Sequence, residues 1–141
     1  MNAWSYVRAT LVAAGFLGGL FGTGRSVDFG MPMAYIAAAA FVFGIVGMLF
    51  VIGIQAMNSR SATVWSYPRW ALNPFSMRQP LQFFHFAGYF VLAAGVGALL
   101  RSVFVGRTLI AEPVAFAFWG AGILAGVWCC TRAFRRKMER A

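Results

Sequence analysis

Few side chains in this sequence could carry out chemistry, because its 141 residues include one histidine, two cysteines and three acids. The histidine lies in the segment QPLQFFHFAGY, where Gln82, His85 and Tyr89 are spaced to share one face of a helix. A histidine on such a face could relay protons or help to bind a ligand. We favour a plainer interpretation, a hydrogen-bonded polar patch between packed helices, because polar groups in an apolar environment are costly unless they are paired.

Two of the acids lie near arginines and near the starts of apolar segments: Asp28 follows Arg25, and Glu112 follows Arg107. Such acids could form the entrance of a pathway for an ion or a substrate. They could also compensate the positive end of a helix dipole and pair weakly with the arginines, at under ~1 kcal/mol for each exposed pair. We favour this second interpretation. The third acid, Glu139, lies in a basic tail and is expected to be solvated.

The two cysteines, Cys129 and Cys130, are adjacent, and we expect no disulfide because a bridge between neighbours requires a strained ring. We expect the two cysteines and His85 to lie at a similar depth along the helices, so a metal site is an alternative. Zinc, however, would need a fourth ligand, and one histidine cannot supply a bis-histidine haem site. We therefore expect no metal and no cofactor. The sequence contains no Walker loop, dinucleotide fingerprint, serine elbow, HExxH or CxxC motif, so we predict a protein without catalytic activity.

The composition indicates where these residues are placed. Hydrophobic residues make up 61% of the chain, charged residues make up 11%, and the mean hydropathy is +0.74. A water-soluble domain needs more polar side chains than this to cover its surface. The net charge of +9 could indicate nucleic-acid binding, but the charges lie at the ends of apolar segments, where they set membrane topology. We predict an all-α integral membrane protein that binds no nucleic acid.

Four apolar segments approach the ~20 residues that a helix needs to span a hydrocarbon core. The first is the weakest, although two overlapping GxxxG pairs, Gly15 with Gly19 and Gly18 with Gly22, would let another helix approach closely. It has signal-peptide features but no small-x-small cleavage site, so we expect it to be retained as a helix. The predicted spans are about 4–22, 33–57, 81–100 and 113–130, with a cytoplasmic loop at 58–80 and a basic tail at 131–141, in one domain covering 1–141.

A faint internal repeat relates the two halves of the chain. LVAAGFLGGL in the first span resembles VLAAGVGALL in the third, and each is followed by a turn that contains Gly-Arg. Pro32 and Pro113 then open the second and fourth spans, where a proline loses no backbone hydrogen bond. These matches suggest two helical hairpins that repeat about an axis along the membrane normal. Chance matching between Ala-rich helices is the alternative.

The charges predict an orientation. With four spans, both termini and the middle loop lie on one side, and that side collects nine Lys and Arg residues against three on the other. The positive-inside rule therefore places both termini in the cytoplasm. Arginine outnumbers lysine eleven to one, which together with the high Ala and Gly content is typical of a GC-rich bacterial genome. We predict a multi-pass protein of the bacterial inner membrane.

The middle loop mixes aromatic and basic residues, and its prolines interrupt any continuous helix. Rings and guanidinium groups together suit a segment that lies in the headgroup layer and contacts anionic lipid. The same residue types are also frequent at protein–protein hot spots. We predict that the loop contacts lipid headgroups, another membrane protein or a second copy of this chain. The candidate contact residues are Trp65, Arg69, Trp70, Phe75 and Arg78.

Two functional hypotheses follow from these features. The first is a small non-enzymatic accessory or assembly subunit that acts through helix packing and through the aromatic and basic loop. The second is a small oligomeric transporter or channel whose polar seam includes His85 and Glu112, and it requires an oligomer because four helices leave little room for a pathway. We favour the first because little of the chain lies outside the apolar segments and its few reactive groups do not converge.

Overall fold

The computed structural model describes residues 3–22, 30–58, 80–106 and 110–140. These residues form four α-helices: α1 Ala3–Phe21, α2 Met33–Asn58, α3 Pro80–Val105 and α4 Ala111–Arg140. Three of the helices contain stretches that are long and apolar enough to cross a membrane, at Met33–Ile54, Leu81–Val105 and Ala111–Ala133. The apolar part of α1, Ser5–Phe21, is shorter. The predicted all-α architecture is thus confirmed, and three of the four predicted spans are long enough for a membrane crossing.

Local backbone chemistry sets two of the helix ends. The carbonyl of Pro32 accepts the N–H groups of Tyr35 at 3.0 Å and Ile36 at 3.3 Å, so Pro32 caps the start of α2 without needing an N–H of its own. At the end of α3, Gly106 adopts a left-handed φ of 69°, and its N–H donates to the carbonyl of Val103 at 3.3 Å. A glycine after the last helical residue is the usual way to stop a helix.

Helices α3 and α4 extend beyond the predicted spans. The expected end of the third span at residue 100 assumed that Arg101 stops the helix, but a charged side chain leaves the backbone ladder intact, and α3 continues to Val105. The next residue, Ser102, bonds its hydroxyl to the carbonyl of Ala98 within the helix. Helix α4 begins at Ala111, before Pro113, because the N–H that proline lacks falls in the unbonded first turn. It then continues through the basic tail to Arg140.

The four helices pack side by side in the order α1, α3, α4, α2. Helix α3 packs extensively against α1 and α4, α4 also packs against α2, and α2 touches α3 only slightly. In α1 and α3, Gly15 lies against Phe90 and Gly19 lies against Ala94, so the two helices run parallel. The other pairs follow from similar contacts: α2 and α4 run parallel, and α3 and α4 run antiparallel.

Glycines set the distance between the helices at all three interfaces. A Cβ built on Gly15 would lie 2.5 Å from the carbonyl oxygen of Phe90, and one built on Gly44 would lie 2.6 Å from that of Trp119. Between α3 and α4, a Cβ on Gly95 would meet the backbone of Ala117. Such backbone-to-backbone approach is possible only where no side chain intervenes, as in other small-residue helix interfaces.

Of the two GxxxG pairs predicted in α1, one lies in an interface. Gly15 and Gly19 face α3, whereas among the described residues nothing of another helix lies within 4 Å of a Cβ built on Gly18 or Gly22. The two pairs point in different directions because neighbouring positions on a helix are about 100° apart.

The packing does not confirm the two predicted hairpins or their repeat. Helices α3 and α4 are antiparallel neighbours, but the described parts of α1 and α2 form no comparable interface. A repeat of α1–α2 onto α3–α4 about an axis along the membrane normal would require one. Instead, each helix of the first half packs parallel against the helix that the repeat would equate with it, α1 against α3 and α2 against α4.

A small hydrophobic core lies where the end of α2 meets the start of α3 and the second half of α4. Met48, Ile52, Leu81 and Val127 are almost completely buried there, and Phe84 and Cys130 pack against them. Elsewhere the arrangement leaves much apolar surface uncovered. Along α2, the exposed large side chains are Met33, Tyr35, Val42, Phe43, Val46, Leu49, Phe50 and Ile54.

Candidate functional site

The three residues predicted to share a polar face, Gln82, His85 and Tyr89, lie near the start of α3. The rings of His85 and Tyr89 meet edge to face, with centroids 5.0 Å apart and planes at 79°. His85 also contacts the ring of Phe86, with a centroid distance of 5.6 Å. One turn before His85, Gln82 is 2% exposed. The helix thus holds an amide, an imidazole and a phenol along one side, as their spacing indicates.

Arg8 of α1 joins this face, which the sequence did not reveal. Its guanidinium carbon lies 5.6 Å from the centroid of the Tyr89 ring, within the range of a cation–π contact. Because Gly15 lies beside Phe90 and the two helices are parallel, Arg8 is level with the first turn of α3. Side chains on a helix lean toward its N-terminus, which brings the Tyr89 ring toward Arg8. The sequence shows Arg8 two turns before the Gly15–Gly19 pair, but it does not show that this pair packs against α3.

Gln82 and Arg101 each bury polar atoms that lack a hydrogen-bond partner among the described residues. For Gln82 these are both the amide nitrogen and the amide oxygen, and for Arg101 one guanidinium nitrogen. A buried polar group left without a partner costs about 1–3 kcal/mol. The hydrogen-bonded patch expected around Gln82 is therefore incomplete at this amide, within the part of the chain that the structure describes.

Glu112 lies in a different part of the molecule, in the first turn of α4. There it lines an open groove of about 630 Å³ between the first halves of α2 and α4. Other than the carboxylate, the lining side chains that the structure describes are apolar. They are Met31, Ile36, Ala39, Ala40 and Phe43 from α2 and its preceding turn, and Ala115, Phe116 and Trp119 from α4.

Three aromatic rings form one wall of this groove. The Trp119 ring lies 6.1 Å from the ring of Phe43 at 55° and 6.1 Å from that of Phe116 at 40°. Trp119 is held in place by the helix crossing, because a Cβ built on Gly44 would lie 3.1 Å from its Cδ1 atom. Glu112 stands out in the sequence as one of three acids, whereas the rings do not, because they come from two helices far apart in the chain.

The structure does not bring His85 and Glu112 together. Gly95 of α3 lies level with Ala117 of α4, and Gly88 lies level with Leu124. Glu112 is therefore level with the end of α3, and His85 is near its start. At ~1.5 Å per residue the two side chains are roughly 20 Å apart along the helix axes. A short polar seam between them is not present, and any pathway through both would have to follow most of the length of α3.

The cysteines occupy ordinary environments. Cys129 is exposed, and Cys130 is partly buried against the hydrophobic core; both are free thiols. In the described parts of the chain, no group of three or more His, Cys, Asp or Glu side chains could hold a metal ion. A small hydrophobic role for Cys130 fits its packing.

Several predicted contact residues lie outside the described residues. In the middle loop they are Trp65, Arg69, Trp70, Phe75 and Arg78, and in the two short turns they are Arg25, Asp28 and Arg107. The predictions made for these residues therefore rest on the sequence alone. So does the interfacial position of the loop predicted at 58–80, whose end residues belong to α2 and α3 and whose residues 59–79 lie outside the described residues.

Comparison with known proteins found no matching family model, no matching curated protein and no matching solved structure. The function of this chain must therefore be inferred from its own side chains and from their arrangement.

Proposed function

We propose that this chain is a small non-enzymatic integral membrane protein of the bacterial inner membrane, which acts as an accessory or assembly subunit. The observation that carries the proposal is the exposed surface of α2. This helix packs mainly against α4, and Phe43 and Phe50 are 65% and 67% exposed. An apolar helix in such a position requires lipid or another transmembrane helix around it.

The proposed orientation has both termini in the cytoplasm. The helix directions support it: the starts of α1 and α3 and the ends of α2 and α4 lie at one end of the helix row. Arg8, Arg132, Arg136 and Arg140 lie toward that end in the described helices, and the middle loop connects there as well. In the inner membrane, an end rich in arginine faces the cytoplasm.

Labelling of single cysteines tests this orientation. In a chain with Cys129→Ser and Cys130→Ser, a cysteine at Ser26 should react with a membrane-impermeant maleimide in intact spheroplasts. A cysteine at Ser76 should react only after the membrane is opened. The reverse pattern would overturn the orientation, and labelling at both positions in intact spheroplasts would overturn the four-span topology.

The loop at 58–80 is the proposed contact site for a partner membrane protein or for anionic lipid. Its aromatic and basic residues suit both kinds of contact. Purification in a mild detergent with mass spectrometry of bound proteins and lipids tests this role. We expect a specific partner, a self-associated form or retained anionic lipid, and we expect Trp65→Ala, Arg69→Ala and Trp70→Ala together to reduce it.

The matched control for that experiment is Phe104→Ala, which removes an exposed aromatic ring at the opposite end of the helix row. It should leave the co-purifying material unchanged. A wild-type chain that emerges as a lone monomer without bound protein or lipid would refute the proposed role. So would a triple variant that retains the same partner at the same yield.

A small oligomeric transporter or channel is the second candidate function, and the groove beside Glu112 is the observation that favours it. The groove is open, and its carboxylate lies at one end of the helix row. Reconstituted liposomes test this candidate through substrate or ion flux. Flux that is unaffected by both His85→Ala and Glu112→Gln would count against a pathway through either residue.

A further inference from the structure

We infer that the groove between α2 and α4 binds a lipophilic organic cation, with the Glu112 carboxylate as its counter-ion and the three aromatic rings as its wall. This inference stands apart from the accessory role proposed above. It depends on three properties of the groove: its size, its charge and its aromatic lining.

The size of the groove suits a small molecule. Its volume of about 630 Å³ lies within the range of roughly 300–1,000 Å³ that is usual for drug-sized ligands. Alanines at Ala39, Ala40 and Ala115 create this space, because larger side chains at those positions would fill it. The remaining lining is apolar, so the body of the ligand must be apolar too.

The charge of the groove selects a cation. Among the described residues that line the groove, the ionisable one is Glu112. Its carboxylate would repel an anion. A hard metal ion would need several oxygen ligands, which one carboxylate among apolar side chains does not provide. An organic cation needs one counter-ion together with apolar contacts.

The rings of Phe43, Phe116 and Trp119 strengthen this preference. Aromatic faces attract cations, and three neighbouring rings along one wall offer such faces to a ligand in the groove. The Trp119 ring lies close to the backbone of Gly44, where the crossing of α2 and α4 brings the two helices together.

Binding of tetraphenylphosphonium to the full-length protein in nanodiscs tests the inference, with equilibrium dialysis against empty nanodiscs as the background. Tetraphenylborate, an anion of nearly the same shape, is the matched probe. We expect saturable binding of the cation and none of the anion above background. Saturable binding of both ions to the same extent, or of neither, would overturn the inference.

Two pairs of variants locate the binding site. Glu112→Gln should weaken binding of tetraphenylphosphonium at least about ten-fold, since it removes a charge-assisted contact, whereas Glu139→Gln, in the tail, should leave binding unchanged. Ala39→Leu should weaken it several-fold by filling the groove, whereas Ala38→Leu, at the neighbouring exposed position outside the lining, should not. Circular dichroism and gel filtration of each variant report its folding. Wild-type affinity in folded Glu112→Gln and folded Ala39→Leu would refute the assignment.

Discussion

Gly18 and Gly19 are neighbours in α1, yet an added methyl group meets very different surroundings at the two positions. At Gly19, a Cβ would lie 2.9 Å from the carbonyl carbon of Ala94 and from the backbone nitrogen of Ala98, and closer still to the Ala94 oxygen. At Gly18, nothing of the described residues lies within 4 Å. We predict that Gly19→Ala destabilises the fold and that Gly18→Ala does not.

The pair of variants isolates the packing contribution. Both substitutions gain the same helix propensity, up to about 1 kcal/mol, so this contribution cancels when the two are compared. At Gly19 the contacting atoms are backbone and cannot rotate away, so α1 and α3 must separate by roughly 1 Å, which loses a quarter to a half of each affected van der Waals contact. Overpacking of this kind costs about 1–3 kcal/mol.

Reversible unfolding by SDS in mixed micelles, followed by tryptophan fluorescence, measures the difference. The unfolding equilibrium constants of the two variants should differ by a factor of roughly 5 to 150, with Gly19→Ala the less stable. Gly18→Ala should be as stable as the wild type or slightly more stable. Equal stability of the two variants, or the reverse order, would show that α1 does not pack against α3 through Gly19.

Two further predictions concern the polar face of α3. Gln82→Leu should stabilise the protein in the same assay by about 1–3 kcal/mol, because it removes a buried amide that lacks a partner among the described residues. If the variant is instead less stable than the wild type, a residue outside the described residues pairs with the amide. Arg8 and Tyr89 should show a coupling energy of about 0.5–1 kcal/mol in a double-mutant cycle of Arg8→Gln and Tyr89→Leu, as expected for an exposed cation–π contact. Additive effects of these two substitutions would contradict that contact.

The sequence predicted the number of helices but not how they pack, and the reason lies in the composition of the apolar runs. Helix α2 has no charged residue and large apolar side chains around its whole circumference, so hydrophobic periodicity does not mark the side that faces a neighbour. The glycines do mark it, but only in part. Gly15 and Gly19 lie in the interface with α3, whereas Gly18 belongs to an identical spacing pattern and remains open.

Candidate sites within one helix could be predicted from the sequence, whereas sites formed by two helices could not. Gln82, His85 and Tyr89 belong to one helix, so their spacing alone predicted a shared face. Arg8 and the aromatic wall beside Glu112 depend on which helices are neighbours, and this information appears only in the packing of α1 on α3 and of α2 on α4. The ends of α3 and α4 were misjudged because a charged residue was taken as a boundary, although charge does not interrupt backbone hydrogen bonding.

In a bilayer, the helix row would be held together by these close backbone contacts. Lipid chains are as apolar as the side chains, so burial of Val or Phe against another helix gains little over burial in lipid. Close approach at Gly15, Gly44 and Gly95 gains contacts that lipid cannot provide, because backbone atoms of two helices meet directly. Lipid can therefore cover the exposed Val46 and Phe50 of α2 as well as a partner helix can, so these side chains alone would not select a particular partner.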